Sequence, residues 1–218
     1  MPILHIDVET IPTNRTDVID MLQESIKAPG QFKKPESIAQ WMEENKESEL
    51  DALVRKTALD GAFGRICCFG FAVDDQPADT IIGTEKEILS RVSTLFNSLD
   101  GDKYTTLIIG HNVLSFDLRF LLQRYIVNQI SVPFLVRYAA NVKPWESEKV
   151  FDTMVQWAGV GNRISLDKLC MALGVESPKG DLDGSKVFDY WKAGRINEIA
   201  EYCKKDVEAT RQVFKRMK

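Results

Sequence analysis

The segment Ile3-Leu4-His5-Ile6-Asp7-Val8-Glu9-Thr10 constrains the fold of this chain more than any other stretch. Isoleucine, leucine and valine dominate it and Pro12 closes it, the pattern of a central strand buried on both faces. Side chains alternate across a strand, so Asp7 and Glu9 share one face and Val8 takes the other. Two ionised acids so close repel each other, and the repulsion must be met by a raised pKa or a bound cation. By itself the pair proves little. Asp-x-Glu recurs at Asp206/Glu208, and charged residues at a strand end are ordinarily solvated.

The 218 residues are enough to bury a sizeable core, and we expect one domain over 1–218 with a helical insertion at about 13–62. A charged fraction of 28% beside 44% apolar residues fits a soluble globular chain. No apolar run has the length of a membrane helix, and the N-terminus lacks a basic segment leading into an apolar one. A cytoplasmic protein with no membrane partner is therefore expected. Cys67, Cys68, Cys170 and Cys203 form no Cys-x-x-Cys motif and are expected to be reduced thiols. His5 and His111 are the only histidines, too few for a His-built zinc site. A net charge of −4 speaks against a uniformly basic surface but leaves room for nucleic acid, which is bound by local patches.

Beyond the first strand, Thr13 to Asp60 is polar and charge-rich, with a break at Ser25–Gly30 and a helix start at Pro35-Glu36-Ser37. Ile38, Trp41, Met42, Leu50, Leu53 and Val54 then recur at helical spacing. We read this region as a helical insertion ending near Gly61–Gly64. Arg65–Val73 and Asp79–Gly83 are strands, and the short turn between them makes them antiparallel. Thr84 and Glu87 form a capping box opening a helix to about Leu99, where Asp100-Gly101-Asp102 breaks it. Thr105–Gly110 is a fourth buried strand and a helix with Leu118, Leu121, Leu122 and Tyr125 follows. Lys149–Asp152 has the makings of a short fifth strand. Helices are expected near Thr153–Ala158, Leu166–Leu173 and Ser185–Trp191, and a final amphipathic one over Arg195–Met217. This order describes a mixed α/β sheet.

Two more acids stand out. Asp117 follows the fourth strand in Asn112-Val113-Leu114-Ser115-Phe116-Asp117, where the helix dipole alone would explain an acid. Tyr202 and Asp206 lie four apart on one face of the last helix, and Tyr-x-x-x-Asp occurs once in the chain. Asp206 falls beside the apolar stripe of Ile196, Ile199, Val207 and Phe214, an expensive place for an unpaired carboxylate. A Tyr–Asp hydrogen bond at a helix edge is the plainer alternative.

Taken together, Asp-x-Glu on the first strand, Asn-x-x-x-Phe-Asp after the fourth and Tyr-x-x-x-Asp on the last helix form an ordered set. The chain resembles the DEDD exonuclease superfamily with the RNase H-like fold, in its tyrosine-bearing (DEDDy) branch. Within it the chain is most similar to stand-alone relatives of the proofreading domain of family-B DNA polymerases. Lys56–Ile66, Ser165–Leu169, Gly184–Val187 and Ala200–Val207 add to the likeness, which covers essentially the whole chain. In the histidine branch a His precedes the last Asp by five positions; Glu201 stands there, so Tyr202 takes the role.

The resemblance implies an α/β, RNase H-like mixed five-stranded sheet flanked by helices, with the helical insertion after the first strand. It implies a metal-dependent 3′→5′ exonuclease acting on single-stranded DNA 3′ ends, in replication or repair, with two Mg²⁺ or Mn²⁺ per active site. Such cations prefer oxygen ligands. By carry-over, Asp7, Glu9 and Asp206 would hold the ion that binds the attacking water. Asp7 and Asp117 would hold the ion beside the leaving 3′ oxygen, the two ions lying about 4 Å apart. Tyr202 would orient the water; a free tyrosine has a pKa near ~10, too high for it to serve as the base. Asn112 and Phe116 could contact the terminal nucleotides, Phe116 by stacking, with core packing as an equal alternative.

The remaining candidates are weaker. His5 shares the acids' face but lies deeper and reads as a satisfied core histidine. Asp152 reads as a helix cap. Asp181-Leu182-Asp183-Gly184 has the start of a calcium loop, but Lys192 stands where that loop needs Glu. From Cys203 on, Lys204, Lys205, Arg211, Lys215, Arg216 and Lys218 oppose Asp206 and Glu208, which a solvated helix face explains. Two rival functions remain, a 3′→5′ exoribonuclease and a non-catalytic nucleic-acid-binding accessory protein. RNA-processing relatives often carry a further helical domain, and these residues end at Lys218. No polymerase region is among them, so proofreading would call on a separate polymerase or replication partner.

Overall fold

A computed structural model describes residues 1–99, 105–178 and 180–218. The expected helix break at Asp100-Gly101-Asp102 lies outside the described residues. The elements run β1 (Ile3–Ile11), α1 (Thr16–Ser25), α2 (Pro35–Lys56), β2 (Arg65–Val73), β3 (Asp79–Ile82), α3 (Glu85–Leu99), β4 (Leu107–Gly110) and α4 (Asp117–Val127). They continue with α5 (Phe134–Ala139), β5 (Val150–Asp152), α6 (Thr153–Ala158), α7 (Leu166–Leu173), α8 (Val187–Lys192) and α9 (Ile196–Met217).

The five strands form one mixed sheet in the order β3-β2-β1-β4-β5, with β1 at its centre. β2 runs antiparallel to both β1 and β3, as the short β2–β3 turn requires, while β4 and β5 run parallel to β1. The alternation of β1 assigns its two faces. Leu4, Ile6 and Val8 pack with Phe69, Ile88, Leu89, Phe96, Leu118 and Leu121 beneath α3 and α4. Each such fully buried aliphatic chain contributes roughly 1.5–3 kcal/mol. His5, Asp7 and Glu9 face the other way, toward α9, whose Ile199, Cys203 and Phe214 cover that side.

The insertion consists of α1 and α2, closed by a tight turn at Thr57–Leu59. It stands off the core: α2 buries no residue and α1 only Val18. Its two roots are stitched together just past Glu9. Thr10 Oγ1 donates to the Ala58 carbonyl (2.7 Å), and Thr57 Oγ1 accepts from Thr13 N–H (2.9 Å). Farther out, Arg55 of α2 pairs with Asp189 of α8 at 2.7 Å and lies over the Phe188 ring.

Local signals held where they were tested. Thr84 and Glu87 form the reciprocal capping box, Thr84 N–H donating to Glu87 Oε2 at 2.8 Å and Glu87 N–H to Thr84 Oγ1 at 3.4 Å. Two helices carried no sequence signal of their own. α1 lies in a polar stretch with a single buried residue, and α5 has only six residues, too few to show a period. No helix among the described residues is long and apolar enough to cross a membrane.

Candidate active site

The carboxyl ends of β1, β4 and β5 lie at one edge of the sheet, beside the point where the order turns from parallel to antiparallel. Open α/β sheets offer a crevice there. Into it β1 delivers Asp7 and Glu9. The β1–β2 register slips between Glu9 and Thr10, pairing Glu9 with Cys68 and Thr10 with Ile66, so Cys67 is the extra residue of a bulge. Bulges re-aim side chains beside functional sites. Here the Cys67 thiol donates to the Glu9 carbonyl (3.4 Å), holding the bend at the second acid.

α9 closes the crevice from the sheet's other face. Cys203, Asp206 and Val207 are buried against the strands, while Tyr202 is half-buried at the edge. The Tyr202 hydroxyl lies beside the Asp206 carboxylate, close enough for the two to act on each other's charge. Oδ1 of Asp206 is buried without a hydrogen-bond partner. Asp117 opens α4 from the turn after β4, its carboxylate buried near the Val8 backbone, which lowers its pKa slightly against the larger effect of burial. The structure thus brings together all five residues singled out from the three motifs: Asp7, Glu9, Asp117, Tyr202 and Asp206.

The four acids raise one another's pKa. Burial pushes Asp7 up to about 7, the Asp117 charge adding to it and the Cys203 thiol opposing it. Asp7 is the most open of the four. Burial raises Asp117 to about 7 and Asp206 to about 8, with neighbouring carboxylates reinforcing both. Glu9, 8% exposed, rises well above the usual carboxylate range through burial and the charges of Asp7 and Asp206. Tyr202 is driven far above its ordinary value by burial and by Asp206. Among the described residues no cationic side chain pairs with any of the four. Ligand atoms of Asp7, Glu9 and Cys203 lie within 4.8 Å of one another. Hard oxygen donors in this number, one of them orphaned, fit a divalent, oxygen-preferring cation.

The flanking candidates are placed less decisively. Asn112 adopts a left-handed φ of 62° in the turn before Asp117. Phe116 is half-buried, packed on the core with its ring 5.4 Å from that of Phe120. His5 requires a correction. It is buried as expected, but neither ring nitrogen has a hydrogen-bond partner of good geometry. Burial and the nearby Arg211 lower it to about 4, so it is an unsatisfied neutral imidazole.

Two residues do more than the sequence suggested. Asp152 caps α6, as read, but also accepts N–H groups from the turn carrying Asn112. His111 is held in the same place, Nδ1 lying 2.9 Å from Thr153 Oγ1 and Nε2 2.9 Å from the Ile164 carbonyl. The one available signal was position: Gly110, just before His111, pairs with Asp152 across parallel strands that periodicity cannot align.

Residues 66–218 match the sequence model of a family described as "Predicted 3'-5' exonuclease related to the exonuclease domain of PolB". That span holds Asp117, Tyr202 and Asp206 and begins after Asp7 and Glu9. Among solved structures, the family B DNA polymerase from the hyperthermophilic archaeon Pyrobaculum calidifontis is similar in fold, with a TM-score of 0.61 at 14% identity. The likeness covers 100% of this chain and 24% of the polymerase chain. No curated protein matches the sequence.

Proposed function

The chain belongs to the family of predicted 3′-5′ exonucleases related to the exonuclease domain of PolB, and from that premise we propose that it removes nucleotides from the 3′ end of single-stranded DNA with two divalent metal ions. One observation supports this above the rest. Four carboxylates meet at one end of the sheet with raised pKa values and, among the described residues, no cationic side chain to balance them. Such a cluster is unfavourable to folding unless a cation is its normal occupant.

Asp7, Glu9 and Asp206 would hold one ion, and Asp7 with Asp117 the other, the ions being Mg²⁺ or Mn²⁺. Bound there, the pair would supply an activated water and neutralise the charge developing on both oxygens of an in-line displacement. The chain's own residues set the geometry. Tyr202, whose pKa is driven up, keeps its proton and would turn that one O–H from Asp206 to the attacking water, orienting it in the manner of the tyrosine-bearing DEDD branch. Asn112 and Phe116, on the turn before Asp117, would contact the terminal nucleotide, Phe116 with the part of its ring that core packing leaves open. Separation of α9 from β1 matters throughout, because Tyr202 and Asp206 ride on the helix while Asp7 and Glu9 ride on the strand.

The test uses 5′-labelled single-stranded DNA and RNA of one sequence with Mg²⁺, Mn²⁺ or EDTA, beside Asp7→Ala. A ladder shortening from the 3′ end of DNA, dependent on metal and lost in the variant, is expected. Faster cleavage of RNA would move the assignment to an exoribonuclease. Binding of either strand without cleavage under any metal would overturn the enzyme assignment in favour of an accessory protein.

A further inference from the structure

Asp152, the last residue of β5, is 0% exposed, and the chemistry above makes no use of it. Its carboxylate accepts four backbone N–H groups. Oδ1 takes those of Asn112 (2.9 Å), Met154 (3.0 Å) and Val155 (3.3 Å), and Oδ2 takes that of Leu114 (3.1 Å). Met154 and Val155 open α6, and their bonds are ordinary capping. Asn112 and Leu114 are different: they belong to the turn leading from β4 to Asp117, 40 and 38 residues earlier in the chain. A cap needs one oxygen, so Oδ2 on Leu114 serves only the turn.

That turn needs holding. Asn112 sits at a φ of 62°, a left-handed conformation uncommon outside glycine that asparagine tolerates better than most residues. Gly110 lies so close to its surroundings that an added Cβ would come within 2.5 Å of Val113 Cβ and 3.2 Å of the Ile6 carbonyl. His111, between them, is clasped by Thr153 and the Ile164 carbonyl. The β5–α6 junction thus holds the approach to Asp117 at three successive points.

We propose that Asp152 is a positioning residue. It fixes the Asn112–Asp117 turn from behind and, as a fifth acid at this edge, governs how strongly the Asp7/Asp117 pair holds its cation. This rests on the metal-dependent exonuclease assignment. The charge of Asp152 also adds to the rise of Asp117, behind the larger effect of burial. Groups that orient metal-binding carboxylates typically change affinity or activity by about 10- to 100-fold when replaced.

The decisive variants are Asp152→Ser and Asp152→Asn in the full chain. Serine is a good helix cap and can still serve Met154 or Val155, but it is too short to span both Asn112 and Leu114 and carries no charge. Asparagine keeps the length but turns an amide N–H₂ toward Leu114 N–H. Mn²⁺ binding, followed by electron paramagnetic resonance without nucleic acid, is read beside kcat and KM on single-stranded DNA. We expect one of two Mn²⁺ ions to weaken by about 10- to 100-fold in both variants, the other staying put, with kcat falling and KM unchanged. Unchanged affinity in Asp152→Ser would overturn the inference and leave Asp152 as a cap. Equal loss of both ions would also overturn it, marking general collapse of the site, as would wild-type protein that binds no Mn²⁺. Wild-type protein that binds Mn²⁺ but cleaves nothing would instead overturn the exonuclease assignment, and the comparison of Mn²⁺ affinities would still decide the role of Asp152.

Discussion

The Sγ of Cys203 lies 3.2 Å from Oδ2 of Asp7 and 3.7 Å from the Asp7 carbonyl oxygen, so the central acid is touched from beneath by the helix that carries Tyr202 and Asp206. A thiol is a weak donor, and the contact matters more for distance than for energy. It sets how closely α9 approaches β1, and hence how far Asp206 stands from Asp7. The room for it comes from Gly70 on β2, which is paired with Asp7.

Gly70→Ala should therefore damage the site without touching an acid. An added Cβ would come within 2.6 Å of Cys203 Sγ, 3.0 Å of Val207 Cγ2 and 3.3 Å of the Cys203 carbonyl. Alanine otherwise suits a strand at least as well as glycine, so any loss reports the displaced helix. We expect destabilisation of about 1–3 kcal/mol in urea unfolding, the usual range for overpacking, and a lower kcat on single-stranded DNA. Unchanged stability and turnover would show that α9 has slack over β1.

The acid cluster makes stability fall with pH when metal is absent. Asp7 and Asp117 move from 3.8 to about 7, and Asp206 from 3.8 to about 8. Between those limits the folded chain binds protons that the unfolded chain has released, so stability present below pH ~4 is lost on the way to pH ~8. His5 acts in the opposite sense up to its unfolded value of 6.5, because its folded value is lowered to about 4. The decline is unopposed by His5 above that point. In EDTA, unfolding free energy should drop by about 3 kcal/mol from pH 6.5 to 8. Millimolar Mg²⁺, binding the ionised native acids, should flatten or reverse the drop. A flat EDTA profile would mean that the carboxylates ionise freely in the folded chain.

Glu85 and Arg124 form a largely buried ion pair near the site's supports. Arg124 Nε and Nη2 donate to Glu85 Oε1 and Oε2, each at 2.9 Å, and Nη1 reaches the carbonyls of Gly61 (3.1 Å) and Ala62 (3.2 Å). Glu85 also accepts Ile66 N–H at 2.8 Å, so the pair ties the return of the insertion to the start of β2. Glu85→Ala should cost about 3–5 kcal/mol, since it strands a buried guanidinium. Hydrogen exchange at Ile66 should quicken as well. Loss below about 1 kcal/mol would place the pair among surface bridges of little consequence.

What could be read from the chain alone was whatever has a short period or a fixed spacing. Asp7 and Glu9 declare themselves by alternation on β1, Thr84 and Glu87 by the capping interval, and Tyr202 with Asp206 by one helical turn. Even the antiparallel β2–β3 pair follows from a short turn. Asp152 was legible only as a cap, because its second task depends on β5 pairing with β4 across 42 residues. The Cys203–Asp7 contact joins residues 196 apart and has no sequence signal at all. α1 and α5 went unmarked for a different reason: one is too solvated and the other too short to show a stripe.

His5 shows where burial and chemistry disagree. Its ring stands 6.0 Å from that of Phe214, edge to face, and borders a small cavity of about 130 Å³ with Ile3, Arg211 and Lys215. Neither nitrogen has a well-formed hydrogen bond, while Arg211 and Lys215 disfavour the imidazolium and Glu208 favours it. An apolar ring would avoid the unmet polar atoms and extend the Phe151–Phe214 contact. His5→Phe should raise stability by about 1–3 kcal/mol, the cost of leaving a buried polar group unsatisfied. The gain should be larger at pH 5 than at pH 8, since at pH 5 the unfolded histidine is protonated and the folded one is not. Urea midpoints at the two pH values decide it. A gain confined to pH 8, or a loss at both, would show that the imidazole is satisfied in solution and that the polar pocket beside Arg211 is its partner.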